Sequence, residues 1–245
     1  MRNTQRLDKI LSNSGYGTRK EIKKLVKQGV VRVDGEVVKD SSIHVDPDAS
    51  VIEIGGKELV YRKYIYIMMN KPAGVISATY DSQLPTVIDL LPDEYRHFNP
   101  FPAGRLDIDT EGFLLITNDG QLAHKILSPK KHIPKKYYAL VIGEVTEADV
   151  DKFSRGVVLD DGYKTLPAEL NVLRAGMCSE IELIIHEGKF HQVKRMFEAV
   201  GKKVKYLRRL EIGSLRLDEG LEPGEFRELT GEELESLKAS VGDSE

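Results

Sequence analysis

The sequence predicts an α+β fold in two parts: a small helix-hairpin domain over residues 1–58, then a larger domain over 59–240 built on a mixed or antiparallel sheet. Three observations carry this. Strand patterns outnumber helical ones, and several are separated by short turns rather than by the helical crossovers a parallel sheet needs. Early in the chain, Val31-Arg32-Val33-Asp34-Gly35-Glu36-Val37 alternates around an Asp-Gly pair, which marks a tight hairpin. Finally, neither a Walker A pattern nor a G-x-G-x-x-G follows any predicted strand, so ATP and dinucleotide chemistry are unsupported.

Within the small domain, Leu7, Ile10 and Leu11 recur at helical spacing, and Ser14-Gly15-Tyr16-Gly17 ends that helix with glycine. Thr18 and Glu21 form a capping box for a second helix. Ile22, Leu25 and Val26 make its buried stripe, leaving Arg19, Lys20, Lys23, Lys24 and Lys27 on the remaining surface. A polar hinge is expected around Gly55-Gly56-Lys57-Glu58. The larger domain opens with the strand Tyr64-Ile65-Tyr66-Ile67-Met68-Met69, which leads into a Lys71-Pro72 turn. Further strands suit 113–117, 137–142, 180–186, 204–210 and 226–229, and helices suit 121–127, 147–154 and 191–200.

Composition narrows the function classes. The chain has 245 residues and 40% hydrophobic content, enough for a sizeable core. No window approaches the run of about 18 apolar residues needed to span a bilayer, and the first residues begin no secretory signal. Cys178 is the single cysteine, which excludes an internal disulfide; with no Cys/His cluster at zinc spacing, a reduced cytoplasmic setting and no metal are expected. The net charge of −3 hides strong segregation. Residues 1–30 carry a net +6, 120–136 five lysines and no acid, and 189–209 a net +7, whereas 216–245 carry −7. Phosphate recognition depends on the field of a local patch, so the three basic runs predict an RNA-facing surface despite the acidic average.

The most informative stretch is Gly104-Arg105-Leu106-Asp107-Ile108-Asp109-Thr110-Glu111-Gly112, followed by the apolar run Phe113-Leu114-Leu115-Ile116-Thr117. It sets a carboxylate on a glycine-flanked turn that feeds a strand. Three alternating carboxylates before a glycine also imitate a calcium loop, but counting from Asp107 the twelfth position is Asn118, which cannot supply the closing bidentate carboxylate. The flanks are not helical either, since Asn99-Pro100-Phe101-Pro102 breaks helix.

The segment Gly104 to Gly120 resembles the catalytic motif G-R-L-D-x-x-T-x-G-L-L-L-L-T-N-D-G of the RsuA-type ribosomal RNA pseudouridine synthases, with Phe113 where leucine is usual. Three further blocks fit the same family in the same order: Met69-Asn70-Lys71-Pro72-Ala73-Gly74-Val75, Lys136-Tyr137-Tyr138, and Glu187 through Met196. Residues 5 to 52 are similar to the S-four RNA-binding domain, with Arg6-Leu7-Asp8-Lys9 and Val33-Asp34-Gly35 at the matching places. The resemblance implies an enzyme that converts uridine to pseudouridine without any cofactor, because the reaction leaves the oxidation state unchanged and adds nothing.

It also implies roles. Asp107 takes the place of the catalytic aspartate, as nucleophile at C1′ or base at C2′. Lys194, after Gln192-Val193, stands where the family keeps the cation that holds this carboxylate ionised, with Arg195 the competing neighbour about 100° away on a helix. Lys-x-Tyr aligns Lys136 with Tyr138, whose ring would stack on the detached uracil; Tyr137 would point to the opposite face of the strand. Arg105 is expected to contact substrate or displace the target base, and Arg195 and Lys71 to bind substrate. Arg6, Arg19, Lys20, Lys23, Lys24 and Lys27 are expected to contact RNA phosphates. His124, His132 and His191 read as RNA-surface or packing residues.

Ser77-Ala78-Thr79-Tyr80-Asp81, Leu127 to His132 and Phe190 to Phe197 look more like the small-subunit members of this branch, and no long basic tail follows the expected end of the fold. The expected partner is 16S ribosomal RNA or a small-subunit assembly intermediate, bound by a monomer, with no membrane. A 23S uridine is the enzymatic alternative, and a non-catalytic ribosome-assembly factor the alternative of another class.

Overall fold

The structure is a computed structural model describing residues 4–242. The chain divides into two bodies, one of residues up to 65 together with 91–100, the other of 66–90 together with 101 onward. The first three residues of the expected domain 1–58 lie outside the described residues.

In the first body β1 (Gln5–Arg6) leads into α1 (Leu7–Asn13) and α2 (Arg19–Lys27), followed by β2 (Val31–Val33), β3 (Glu36–Val37), β4 (His44–Val45), β5 (Ile52–Ile54) and β6 (Lys57–Glu58). The capping box forms: the Thr18 N–H donates to Glu21 Oε2 at 2.8 Å and the Glu21 N–H to Thr18 Oγ1 at 3.4 Å. Asp34 and Gly35 both take positive φ, as a two-residue hairpin with the strand twist demands. The sheet runs β3-β2-β5-β6, and Ile22 and Val26 pack with Leu7, Ile10, Leu11, Val31, Val45 and Ile52 beneath it. Arg19, Lys20, Lys23, Lys24 and Lys27 are all exposed.

Two expectations are corrected here. Gly55-Gly56 is no hinge but a tight turn joining β5 to β6, with φ of 58° and 80°. Leu59 and Tyr61 then pack on the same small core, so this body extends past residue 58, and the later segment containing α3 (Asp93–Arg96) belongs to it. The Arg62 guanidinium sits 5.5 Å over the Phe98 ring of that segment.

The second body is built on β7 (Tyr66–Lys71), β8 (Phe101–Pro102), β9 (Glu111–Thr117), β10 (Lys135–Ile142), β11 (Glu169–Arg174), β12 (Cys178–Ile185), β13 (Lys203–Ile212), β14 (Leu215–Arg216) and β15 (Phe226–Glu228). Its helices are α4 (Gly120–Leu127), α5 (Glu147–Ser154), α6 (Gln192–Glu198) and α7 (Gly231–Ser240). Among the described residues these strands form one nine-stranded sheet whose main path is β11-β12-β10-β13-β9-β7-β15. Every pairing on that path is antiparallel except β9 with β13, which makes the sheet mixed as expected. Met68, Phe113, Leu115, Ile126, Ile212, Leu217 and Leu237 form a dry core on one face, covered in part by α4 and α7. Among the described residues no helix is long and apolar enough to cross a membrane.

The parallel crossing positions the site. Gly112 pairs with Arg209 so closely that a Cβ there would lie 2.2 Å from the Arg209 carbonyl oxygen, and its φ is 101°. Only glycine meets both demands.

Candidate active site

Asp107 lies on the loop between β8 and β9, and backbone bonds fix that loop from beneath. Leu106 exchanges both of its backbone groups with the Ser77 hydroxyl, each at 3.0 Å, and the Gly74 N–H donates to the Ile108 carbonyl at 2.7 Å. The Thr110 N–H closes a turn onto the Asp107 carbonyl at 3.1 Å. Below it, the Lys71 ammonium donates to the carbonyls of Pro72, Asp107, Ile108 and Thr110 at 3.0, 3.1, 3.4 and 2.9 Å. Lys71 is 0% exposed, and burial pulls its pKa down to about 8 against the opposing charges of Asp109, Asp107 and Glu111. The expectation that Lys71 binds substrate is therefore corrected: its amine is spent on the loop's own carbonyls.

Above the loop, α6 brings Lys194 to the carboxylates. Its Nζ lies 3.2 Å from Asp107 Oδ2 and 2.6 Å from Asp109 Oδ1. Burial works against the Lys194 ammonium, but the bonds and charges of Asp109 and Asp107 outweigh it and hold its pKa above the usual lysine value. In turn, the hydrogen bond from Lys194 keeps Asp109 below the ordinary carboxylate range. His191 precedes α6 in the left-handed conformation (φ 49°), and its Nε2 stands 3.5 Å from Asp107 Oδ1. Asp107 keeps a quarter of its side chain open to solvent, so it is oriented by two neighbours yet reachable.

The neighbouring cation goes elsewhere. Arg195 binds Asp160 at 2.5 Å and Asp161 at 2.7 Å and reaches the Phe190 carbonyl at 3.4 Å. It clamps a loop instead of facing Asp107, with Nε and Nη2 engaged by Asp160 and Asp161. A second tether starts at buried Glu187, which accepts from the Tyr163 hydroxyl at 2.6 Å, the Leu166 N–H at 2.9 Å and the Gln192 amide at 2.9 Å. Gln192 in turn accepts from the Lys189 N–H at 2.9 Å. This network holds the turn from which α6 springs; sequence reasoning placed Glu187 and Gln192 inside a motif but gave them no task. It also gave none to Asp109, and read His191 as an RNA-surface or packing residue.

Tyr138 is not brought to this cluster. Its ring lies edge-on to Tyr206 at 6.3 Å, and its strand neighbours are Glu182 and Arg208. Burial and then Glu180 raise its pKa. Tyr137, the other tyrosine of the doublet, pairs with Leu183 and Arg209 and is buried. Arg209 donates to the Phe113 carbonyl at 2.7 Å, and its charge opposes that of Lys71 beneath the loop. Lys135-Lys136-Tyr137-Tyr138 admits Lys-x-Tyr in two registers: the later one gives the expected Tyr138, and the earlier one gives Tyr137, which pairs with Arg209. Arg105 is exposed beside the carboxylate and forms no ion pair among the described residues. Arg6 is committed otherwise, donating to both oxygens of buried Asp8 at 3.1 and 2.7 Å.

Comparison with known proteins decides the family. Residues 65–199 match the RNA pseudouridylate synthase family and residues 5–51 the S4 domain. The chain is an RsuA-type pseudouridine synthase. This synthase is 54% identical to an uncharacterized RNA pseudouridine synthase of Bacillus subtilis, covering 95% of this chain and 98% of that one. It is 45% identical to the ribosomal small subunit pseudouridine synthase A of Vibrio parahaemolyticus, covering 95% and 99%, and 39% identical to the ribosomal large subunit pseudouridine synthase B of Bacillus subtilis, covering 96% of each. A crystal structure of a pseudouridylate synthase superposes with a TM-score of 0.67 at 37% identity, covering 95% of this chain and 99% of that chain. The synthase is thus an isomerase with an N-terminal RNA-binding domain.

Proposed function

We propose that this synthase isomerises one uridine of 16S ribosomal RNA, either in free RNA or in a small-subunit assembly intermediate, and does so as a cytoplasmic monomer. The observation that carries the catalytic part is the Asp107 carboxylate, one quarter open to solvent and 3.2 Å from the Lys194 ammonium on a loop pinned from below. Attack at C1′ and removal of the C2′ proton both use an ionised carboxylate oxygen, and the fixed cation favours that form. The N1–C1′ bond breaks, the detached uracil turns, and C5 joins C1′; C5 gives up its proton and N1 takes one up, so the product is an isomer of the substrate. Arg105 displaces the target base from its stack, and Tyr137 restrains the free uracil. The exposed cations Arg19, Lys20, Lys23, Lys24 and Lys27 take phosphates.

Supporting the small subunit is the 45% identity to synthases named for it. The large-subunit relative at 39% favours a 23S uridine as the second reading. A non-catalytic assembly factor fits poorly with an intact Asp107–Lys194 pair. Mapping pseudouridine in 16S and 23S RNA from cells with and without the gene tests the reading. One 16S site is expected to vanish and to be restored on small-subunit particles by pure protein; loss of a 23S site instead would overturn the assignment.

A further inference from the structure

Phe190 is 72% exposed, unusual for a phenylalanine sitting one residue from a side chain that touches the reactive carboxylate. Scattered exposed apolar residues need no explanation, but this one is built in. Its ring stacks on His191 with centroids 3.8 Å apart and planes 18° from parallel, and His191 in turn lies against Asp107. The backbone on both sides is tied down. The Phe190 carbonyl accepts from Arg195, itself clamped by Asp160 and Asp161, and the Lys189 N–H is held by Gln192. His191 is kept at positive φ, a conformation that side chains rarely take and that the surrounding bonds must enforce. The result is a flat ring whose inner face is covered, whose outer surface is open, and which loses little freedom when another ring meets it.

Exposed Lys189 precedes it in the chain, its ammonium 4.5 Å over the Tyr163 ring. An exposed aromatic face with an exposed lysine next to it in the chain fits an unpaired nucleobase of a single strand, since every base presents a π-face on which such a ring can stack.

We infer that the Phe190–His191 stack is a nucleobase subsite, which takes the base of a nucleotide flanking the extruded uridine and keeps the opened strand from closing behind it. The inference rests on the RNA-modifying reading above. It concerns a neighbour of the target and not the target itself, and it requires only a π-face, so it fixes the strand without choosing its sequence.

The test uses the full-length enzyme and a short fragment of its mapped RNA substrate, with 2-aminopurine placed in turn at each position flanking the uridine. Wild type is expected to quench fluorescence at one flanking position on binding. Phe190→Ala should abolish that quenching and raise KM about fivefold or more while leaving kcat within about twofold. Phe190→Tyr should restore both, and Met177→Ala, at a side chain 90% exposed elsewhere on the surface, should change neither. Unchanged quenching and KM in Phe190→Ala would overturn the inference, as would a fall in kcat alone, which would make the ring only a prop for His191. If wild type forms no pseudouridine in any ribosomal RNA, the functional reading has failed instead.

Discussion

At the scale of single residues, the proposed reactive centre is a carboxylate between a lysine and a histidine, and the three are separable by substitution. Asp107→Asn keeps size and removes the charge, so pseudouridine formation should fall by about a thousandfold or more while RNA affinity stays close to wild type. A single-turnover assay beside a filter-binding measurement checks this. Lys194→Met should slow turnover by about tenfold or more, whereas Arg195→Met, which frees the Asp160–Asp161 loop, should act mainly on stability and KM. Reversal of those two profiles would relocate the cation. The tyrosine doublet admits the same comparison: Tyr137→Phe should lose at least about tenfold in kcat and Tyr138→Phe almost nothing. Asp107 and Lys194 were legible in the sequence because motif and helical register agree on them. The choice of tyrosine was not, because two lysines followed by two tyrosines satisfy one short pattern twice; cross-strand pairing sets Tyr137 opposite Arg209 and Tyr138 opposite Arg208.

Among the elements, those with strong periodicity or an explicit cap appear where the sequence puts them: α2 behind Thr18, α5 over Glu147–Ser154, and the β2–β3 hairpin at Asp34-Gly35. The last helix was missed. Residues 231–240 lie in the acidic segment 216–245 and only their charge was read, yet Leu237 is fully buried in the core and Val241 just beyond the helix nearly so. A charge network settles α7 in place. Arg227 donates to both oxygens of Glu233 at 2.8 Å and to Asp218 at 2.6 Å, while Glu233 also caps the helix at Thr230. The Arg227 bond holds the Glu233 carboxyl below its ordinary 4.5. A carboxylate with a depressed folded pKa stabilises fully above its unfolded value, and that contribution disappears as pH falls through the folded one. Glu233→Gln should therefore lower Tm at pH 7, and the gap to wild type should close on acidification below about 4.5. A gap that persists unchanged at pH 3 would assign the effect to packing alone.

For the whole molecule, the average charge of −3 conceals a working division: cations line α2 and the segments near α6, and acids gather around α7. The sequence displayed this segregation plainly, along with the two-part organisation. What it could not supply was the boundary, because Gly55-Gly56 looks like a flexible joint until β5 and β6 pair across it, and because nothing local says that 91–100 joins the first body. If the exposed lysines of α2 hold phosphates, replacing Lys20, Lys23, Lys24 and Lys27 by alanine should flatten the log-log salt dependence of binding by about 0.7 to 0.9 for each phosphate no longer neutralised, with kcat at saturating RNA unchanged. An unaltered salt slope would leave α2 as a hydrated surface and shift phosphate binding to 120–136 and 189–209.

The sealed amine of Lys71 gives the enzyme a built-in reporter. Burial holds its pKa near 8, and no reagent can touch it while the carbonyls of residues 107, 108 and 110 close over it. Acylation of Lys71 under native conditions then measures how often the loop lifts away. The rate, followed by mass spectrometry with and without RNA, converts a static cluster of hydrogen bonds into an opening frequency for the loop that carries Asp107.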